Sequence, residues 1–432
     1  MTSVFGRGAS LEAAAAEGSW IVDRDGRHYL DAAGGAIVCG VGHGRREVIE
    51  AISAQLSKTD YVHASTFTTS VVEQYSAEIA ARVPMTDARV YPVSGGSEAM
   101  ETALKLALTY QQLRGDRNRT AILSRWGSYH GNTLGALDVS GRVALRAPYE
   151  SWLGRAGHVP PVYEYRCPAA SHPTDCGAWH ADFLEERITE QGNVAAFVAE
   201  SVGGATLGAV VPPPDYWPAV AEVCRRYGVL LIIDEVMSGF GRTGRWFGID
   251  HWEVRPDVIV AGKGASSGYW PLGLCIASGA VHAVTGESFV HGYTYSHHPA
   301  GAAAGLAVLE ILDREELVAA ASVKGSTLRR LLSEAMAAHP NVGDVRGIGL
   351  LVAVELVSDK TSKEPYPREA KVTERIMQAA RDAGLLLYPA SKGIDGVMGD
   401  AVLIGPPLSI GADDLEAIVE RTQSAVEAVL PR

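Results

Sequence analysis

Short apolar runs alternate with amphipathic segments between about residue 46 and residue 311 of the chain. The runs are often bounded by Gly, Pro or Asp, which is typical of strands buried on both faces of a sheet. Strands that alternate with helices in this way predict an α/β fold with a mainly parallel sheet covered by helices. The predicted strands are Arg89–Val93, Thr120–Ser124, Ala195–Glu200, Val229–Asp234, Val258–Ala261 and Leu274–Ser278.

The segments between these strands have helical spacing. In Arg46–Leu56, apolar residues such as Val48 and Ile49 recur with the period that places them on one helix face. We also expect helices over Ser97–Leu113 and Pro218–Tyr227.

The pattern changes after about residue 311. Segment Val345–Leu356 is predicted to be a single strand, Arg368–Ala383 a helix and Ala401–Ile404 another strand, and residues 412–430 are predicted to form the last helix. The strands around Ser19–Leu30 are expected to pair with this C-terminal part of the chain.

These patterns predict a large domain and a smaller α+β domain built from both chain ends. Residues 1–49 would form the N-terminal part of the small domain and residues 312–432 its C-terminal part. Residues 50–311 would form the large domain, which is expected to hold the ligand.

Composition and charge exclude several classes of protein. Apolar residues are 47% and charged residues 20% of the 432 residues, which is a globular composition. The 38 basic and 50 acidic residues give a net charge of −12, whereas a nucleic-acid-binding surface is typically basic. No apolar run has the length of a transmembrane helix, and the N-terminus does not resemble a signal peptide. With five cysteines, we expect a cytoplasmic protein that binds neither nucleic acid nor membrane.

A glycine-rich turn joins the strand Arg89–Val93 to the next helix. Gly95, Gly96 and Ser97 stand at the helix N-terminus, where free N–H groups and the helix dipole favour a phosphate. The same residues can also simply cap the helix, so this segment alone is consistent with either function.

Two charged residues follow strands at the edge where open α/β sheets bind ligands. Asp234 ends an apolar strand, where it can pair with a cationic ring nitrogen or a metal, cap a helix or join a buried salt bridge. Lys263 stands in a turn of small residues after Val258–Ala261, where a lowered pKa would allow it to form a Schiff base. An exposed turn lysine is the alternative.

Three other segments carry candidate chemistry. Tyr129 and His130 follow a strand, so that an aromatic ring there can lie against a planar ligand or pack in the core. Thr294 lies in a turn rich in hydroxyls and histidines, which is a candidate for a second phosphate contact. Residues 239–244 match G-x-G-x-x-G, but four residues separate them from Asp234 and no helical pattern follows, which disfavours a nicotinamide site.

Taken in order, these segments resemble the class III (ω-amino acid) aminotransferases. The resemblance extends from about residue 31 to the small-domain stretches VRGIGLLVAVEL and LIGPPLSI. It implies a fold-type I transferase that uses pyridoxal 5'-phosphate, and a homodimer or tetramer with shared active sites. The main matching stretches are SGGSEAMETALKLA, YHGNTLGALDVSG, LLIIDEVMSGFGRTG, AGKG and HGYTYSHHPAGAAAGLAVLEIL.

The resemblance implies catalytic roles for two residues. Lys263 would bind the cofactor covalently and then transfer the substrate proton, and Asp234 would keep the pyridine nitrogen protonated. Val236 and Tyr129 would lie on opposite faces of the ring, with His130 beside Tyr129 in the cofactor site.

The resemblance also implies how the rest of the cofactor is held. Gly96 and Ser97 would bind the phosphate, and Thr294 would reach it from the partner subunit. Glu200 matches an acidic residue near the ring, although Ser201 replaces the proline that usually follows it.

This chain departs from the family where a substrate carboxylate would bind. Many members use an arginine near the C-terminus, but this chain has none between Arg381 and Arg421. Tyr388 stands near the expected place, and Lys392 is the only cation in that interval. The donor is therefore an amine without an α-carboxylate, or a carboxylate held by Lys392 or another arginine. The acceptor is expected to be a 2-oxo acid, such as pyruvate, or an aldehyde.

Several functions share these residues. An aminomutase and a decarboxylating transaminase both need the lysine, the aspartate and the phosphate site. A catalytically inactive binding protein is the rival from another class, and the presence of both Lys263 and Asp234 argues against it. A nicotinamide-dependent dehydrogenase ranks last.

Cys167, His172, Cys176 and His180 lie close together in sequence and contain zinc-ligand types. Their spacing, C-x4-H-x3-C-x3-H, is not that of a standard zinc finger, and the segment is rich in proline. The sequence therefore predicts no metal site.

Overall fold

A computed structural model describes residues 11–167, 176–391, 393 and 398–431. Its strands are β1 Ala13–Glu17, β2 Trp20–Asp23, β3 His28–Asp31, β4 Arg89–Val93, β5 Ala121–Arg125, β6 Ala156–Val159, β7 Val194–Glu200, β8 Leu230–Asp234, β9 Val258–Ala261, β10 Gly273–Ala277, β11 Val342–Ile348, β12 Leu351–Leu356, β13 Leu385–Leu386, β14 Tyr388–Ser391 and β15 Asp400–Ile404.

The helices include short and long elements. They are α1 Gly34–Ile37, α2 Arg46–Lys58, α3 Ser70–Ala80, α4 Gly96–Leu113, α5 Leu134–Val139, α6 Val143–Arg146, α7 Cys176–Gln191, α8 Tyr216–Tyr227, α9 Gly279–Thr285, α10 Pro299–Arg314, α11 Leu317–Met336, α12 Val372–Asp382 and α13 Ala412–Val429. In the described part of the chain, none of them combines the length and apolar character needed to cross a bilayer.

The largest sheet has seven strands in the order β4-β10-β9-β8-β7-β5-β6. Strand β10 is antiparallel to both of its neighbours, and the other neighbouring pairs are parallel. The sequence prediction of a mainly parallel α/β sheet is therefore confirmed.

Both faces of this sheet are buried. Successive side chains of a strand point to opposite faces, and both sets of side chains belong to buried clusters. Phe197 and Ile233 belong to one buried cluster, whereas Val198 and Ile232 belong to another that includes Met100 of α4. This double coverage explains why the central strand β9 is apolar at every position and β8 at every position before Asp234.

Two smaller sheets involve the chain ends. One has the order β1-β2-β3-β13 and the other the order β11-β12-β15-β14. Leu30 of β3 pairs in parallel with Leu385 of β13, so the strands around Ser19–Leu30 contact the C-terminal part as predicted. The domain boundaries after residues 49 and 311 remain a prediction.

Two C-terminal elements differ from the sequence prediction. Segment Val345–Leu356 is not a single strand but a hairpin of β11 and β12. Gly349, at φ +56°, lies in the left-handed region that glycine adopts readily, and it reverses the chain there. The predicted helix Arg368–Ala383 is interrupted at Lys371, whose φ of +48° separates a 3₁₀ turn from α12.

Candidate active site

Three neighbouring strand ends bring charged residues to one edge of the large sheet. Strands β7, β8 and β9 are parallel, so their carboxyl ends meet at the same edge. Glu200, the last residue of β7, pairs in register with Asp234, the last residue of β8. Lys263 follows β9 after a single glycine.

All three side chains line one cavity of about 190 Å³. Eight of the nine predicted site residues line it, and Thr294 is the exception. The eight are Gly96, Ser97, Tyr129, His130, Glu200, Asp234, Val236 and Lys263. Residues that the sequence analysis did not select complete the lining: Gly131, Val202, Ala205, Met237 and Ser238.

The carboxylate of Asp234 is held at both oxygens. Its Oδ2 lies 2.7 Å from Nδ1 of His130, and its Oδ1 accepts a 2.9 Å hydrogen bond from the backbone N–H of Val236. The backbone N–H of His130 in turn donates to the hydroxyl of Ser140 at 2.8 Å. Both side chains of the pair are buried, so the carboxylate is fixed in orientation and shielded from water.

His130 is a predicted residue of the cofactor site, but no sequence pattern predicts its contact with Asp234. The two residues are 104 positions apart and lie on different strand connections. The available sequence signal is that both follow strands of one parallel sheet, which places them at the same edge.

Lys263 has an unusual backbone and a shifted pKa. Its φ of +45° is in the left-handed region, which non-glycine residues adopt rarely and often at functional sites. Burial lowers the pKa of its ammonium to about 8, although the negative charges of Asp234 and Glu200 oppose the shift. A substantial fraction of this amine is therefore neutral near pH 8, and only a neutral amine can act as nucleophile or base.

Glu200 is buried beside this pair. Burial raises the pKa of its carboxyl, and the backbone N–H of Gly204 donates to its Oε1 at 3.2 Å. The charges of Asp234 and Glu200 lie close enough to the Lys263 amine to raise its pKa, and the charge of Asp234 also raises the pKa of Glu200.

The N-terminus of α4 supplies a second kind of surface to the cavity. A side chain at Gly96 would place its Cβ 3.0 Å from Cγ1 of Val236, so glycine keeps this end of the cavity open. Gly131 has φ +137°, and a Cβ there would lie 2.6 Å from the hydroxyl of Ser97. The first N–H groups of a helix have no intrahelical partner, so this surface suits an anion.

Two other residues named in the sequence analysis do not line the cavity, and a third is not described. Thr294 is on an exposed turn and does not line the cavity of this chain. Tyr388, in β14, packs beside the apolar cluster that contains the cavity residues Val202 and Met237. Lys392 lies outside the described residues.

The glycine-rich segment 239–244 does not form a dinucleotide-binding turn. It makes a series of turns that lead into a short 3₁₀ helix, Gly248–Trp252, and not into an α-helix. Gly244 packs against α11, where an added Cβ would lie 2.7 Å from Cβ of Ser322. Close packing of the backbone thus accounts for this glycine.

Three of the four residues considered for zinc do come together. One side-chain ligand atom each of Cys167, Cys176 and His180 lies within 4.8 Å of the other two. His172 is outside the described residues. Sequence spacing had disfavoured such a group, because it does not show how a connection folds back on itself.

Comparison with known proteins places these observations in a family. The family model described as Aminotransferase class-III matches residues 6–426. The uncharacterized aminotransferase YodT of Bacillus subtilis is 38% identical over 421 residues, covering 96% of this chain and 94% of that protein. The putrescine–pyruvate aminotransferase of Pseudomonas aeruginosa is 32% identical over 418 residues, covering 95% and 89%.

Solved structures agree with this relationship. The thermostable (S)-enantioselective omega-transaminase of Thermomicrobium roseum superposes with a TM-score of 0.92 at 36% identity. The match covers 98% of this chain and 94% of that chain. The likeness therefore extends over both the large sheet and the sheets formed by the chain ends.

Proposed function

The chain belongs to the class III aminotransferases, and we propose that it moves an amino group from an amine or ω-amino acid to a 2-oxo acid, such as pyruvate, or to an aldehyde. Members of this family are transaminases that depend on pyridoxal phosphate, and the fold is that of fold-type I transferases. The observation that carries the proposal is the meeting of Glu200, Asp234 and Lys263 beside a helix N-terminus in one cavity.

The residues present fit pyridoxal phosphate. The buried carboxylate of Asp234 suits a cationic ring nitrogen, and the amine of Lys263 suits an aldehyde carbon. Gly96 and Gly131 leave room beside Ser97 at the N-terminus of α4, which suits a phosphate. When bound, the cofactor supplies an electron sink for the negative charge left on the substrate carbon after it loses a proton.

In this proposal Asp234 acts as an electrostatic anchor. His130 and the backbone N–H of Val236 hold its two oxygens, so it presents a fixed negative charge to the cavity. A fixed charge costs no reorganisation when the opposite charge develops, which is why preorganised groups of this kind accelerate reactions.

Lys263 is the proposed covalent anchor and proton carrier. A base is most effective when its pKa is close to the operating pH, and burial brings the pKa of this amine to about 8. Gly96 and Ser97 would bind the phosphate, and Tyr129 and Val236 would flank the ring.

The cavity favours a cationic amine as donor. With Asp234 assigned to the ring nitrogen and Lys263 to the chemistry itself, Glu200 is the charged residue of the described lining that remains to attract an ammonium group. Val202, Ala205 and Met237 give the cavity an apolar wall suited to methylene groups. The putrescine–pyruvate specificity of one relative agrees with this preference.

A homodimer is part of the proposal. Thr294 is exposed in the single chain, and the neighbouring Tyr295 and Val290 are 62% and 96% exposed. Phe67 is 62% exposed and Ile49 of α2 is 52% exposed, although Val48 on the same helix is buried. Large apolar side chains exposed in this way are typical of a protein interface, from which Thr294 would reach the partner's phosphate site.

A cytoplasmic location is also part of the proposal. It rests on the small number of cysteines and on the absence of a disulfide bond among the described residues, as is usual in a reducing compartment.

Absorption spectroscopy of the purified protein tests this function. Amines added without an acceptor should bleach the visible band of the bound cofactor, and pyruvate should restore it. Diamines are expected to bleach it faster than α-amino acids of similar length. A protein that binds no pyridoxal phosphate, or a band that no amine changes, would contradict the proposal.

The same assay separates the related activities. Release of carbon dioxide during bleaching would indicate a decarboxylating transaminase. Conversion of an amine to its isomer with no added acceptor would indicate an aminomutase.

A further inference from the structure

We propose that Cys167, Cys176 and His180 bind one zinc ion. The group lies outside the cofactor cavity, at the point where the connection after β6 meets the first turn of α7. Cys176 and His180 are four residues apart on α7, a spacing that places two side chains on the same helix face. Cys167 approaches them from the 3₁₀ turn that precedes it, Glu164–Arg166.

The two distances from the Cys167 sulfur to the other ligand atoms match a tetrahedral zinc site. Sγ of Cys167 lies 3.8 Å from Sγ of Cys176 and 3.7 Å from Nε2 of His180. Zinc–sulfur bonds of about 2.3 Å and zinc–nitrogen bonds of about 2.1 Å at tetrahedral angles separate two sulfurs by about 3.8 Å and a sulfur from a nitrogen by about 3.6 Å. Both distances from Cys167 therefore suit zinc, and the ligand atoms of the third pair, Cys176 and His180, lie within 4.8 Å of each other.

The chemistry of the three ligands also selects zinc. Thiolate and imidazole are the ligands that zinc prefers in proteins, whereas magnesium and calcium prefer oxygen. Two thiolates balance the charge of Zn²⁺ and the imidazole is neutral, so the complex can be buried without a net charge. Binding breaks two S–H bonds and releases two protons to solvent, and it changes no oxidation state.

The surroundings give the zinc a structural role. Cys176 and His180 are buried and Cys167 is partly buried. Asp215 holds the same turn of α7, because its Oδ2 accepts a 2.8 Å hydrogen bond from the N–H of Ala178. The fourth position of a tetrahedral ion is not assigned to any described residue, and His172 is not part of the proposed set.

A zinc ion at this site would fix the segment before Cys167, which contacts the sheet that contains β12. One residue before Cys167, Arg166 donates from Nε to Glu355 of β12 at 2.8 Å, and the hydroxyl of Tyr163 donates to the same carboxylate. A metal that ties Cys167 to α7 would therefore also hold this contact between the connection after β6 and strand β12.

Metal analysis of the full-length protein tests the proposal. Protein purified in reducing buffer, incubated with zinc chloride and desalted should carry about one zinc per chain. Cys176→Ser and His180→Ala should each lower the retained zinc at least about tenfold, since each removes one of three protein ligands. Cys224→Ala, which removes another buried helical cysteine, should retain as much zinc as the original chain.

A cobalt spectrum provides a readout that does not depend on the folding of a variant. Cobalt bound to the unaltered chain should give the strong visible bands of a tetrahedral site and a thiolate-to-metal charge-transfer band. Loss of both bands on addition of zinc would confirm that the ions share this site. A chain that takes up no zinc, or weak octahedral cobalt bands, would overturn the proposal.

Thiol counting distinguishes the site from a disulfide. No disulfide bond joins the described cysteines, so the denatured protein should react with five equivalents of a thiol reagent after the metal is removed. Three equivalents from protein never exposed to an oxidant, with a Cys167–Cys176 peptide in the digest, would contradict zinc binding.

Discussion

The cofactor cavity and the Cys167–Cys176–His180 group are assembled in opposite ways. Glu200, Asp234 and Lys263 are far apart in sequence, but the register of three parallel strands brings their positions together. The zinc group lies within a short stretch of sequence, yet it forms only because Cys167, after the 3₁₀ turn Glu164–Arg166, lies next to the first turn of α7. Sheet order therefore makes the cavity predictable, whereas chain folding within one connection makes the zinc group visible only in the structure.

The two regions are also expected to differ in what they control. Residues of the cavity are expected to control catalysis, and residues of the zinc group are expected to control the stability of the segment that contacts β12. Substitutions in the cavity should therefore change activity most, and substitutions in the zinc group should change it least.

Lys263→Ala should lower turnover by at least about 10³-fold, because it removes the proposed covalent anchor and the group that carries the proton. The protein should remain folded, since the substitution shortens a side chain that lines a cavity. Steady-state kinetics and circular dichroism measure the two effects. Lys105→Ala, at an exposed position of α4, is the control and should retain full activity.

Asp234→Asn should lower kcat by about 10²–10³-fold, a loss typical of removing one preorganised electrostatic contact. His130→Asn should have a smaller effect, because the N–H of Val236 still holds one oxygen of Asp234. Equal losses in the two variants would mean that His130 itself, and not only Asp234, acts on the cofactor.

The uptake of pyridoxal phosphate by cofactor-free protein should depend on pH through Lys263. Burial lowers the pKa of this amine to about 8, and only the neutral form attacks an aldehyde. The uptake rate should therefore rise about tenfold per pH unit below the pKa and level off above it. A rate that still rises steeply above pH 9 would show that the amine has the pKa of an ordinary lysine.

Thr294→Ala should weaken cofactor affinity about tenfold and leave kcat nearly unchanged at saturating cofactor, because one hydrogen bond to a charged phosphate is lost. Cofactor titration followed by fluorescence measures this affinity. Thr361→Ala, another exposed threonine, is the matched control. Unchanged affinity in Thr294→Ala would remove the support for a contact across a subunit interface.

Cys176→Ser should leave kcat within about twofold of the original value, since distant sites act almost independently. It should instead lower the melting temperature measured in the presence of zinc, because a metal that binds only the folded chain stabilises it. A large loss of kcat with unchanged melting temperature would break the separation between the two regions.

Much of the fold could be predicted from the sequence, because buried parallel strands have a strong local pattern. The predicted strand Arg89–Val93 matches β4 and Val258–Ala261 matches β9 residue for residue. The hairpin in Val345–Leu356 was missed because its turn lies between two apolar runs and is marked only by Gly347 and Gly349.

The site also contains residues that a local sequence pattern predicts and contacts that it does not. Asp234 could be selected because it ends an apolar strand, and Lys263 because it follows one after a single glycine. The contact of His130 with Asp234 could not, since no local pattern relates two strand connections. The role proposed for Thr294 depends on a second subunit, which a single chain does not contain.

The most direct test of the central claim is to locate the cofactor on the chain. Protein loaded with pyridoxal phosphate would be reduced with borohydride, digested and analysed by mass spectrometry. If Lys263 binds the cofactor, a single modified peptide is expected, with the added mass on Lys263. Modification of another lysine in place of Lys263, or no modification of protein that has bound the cofactor, would contradict it.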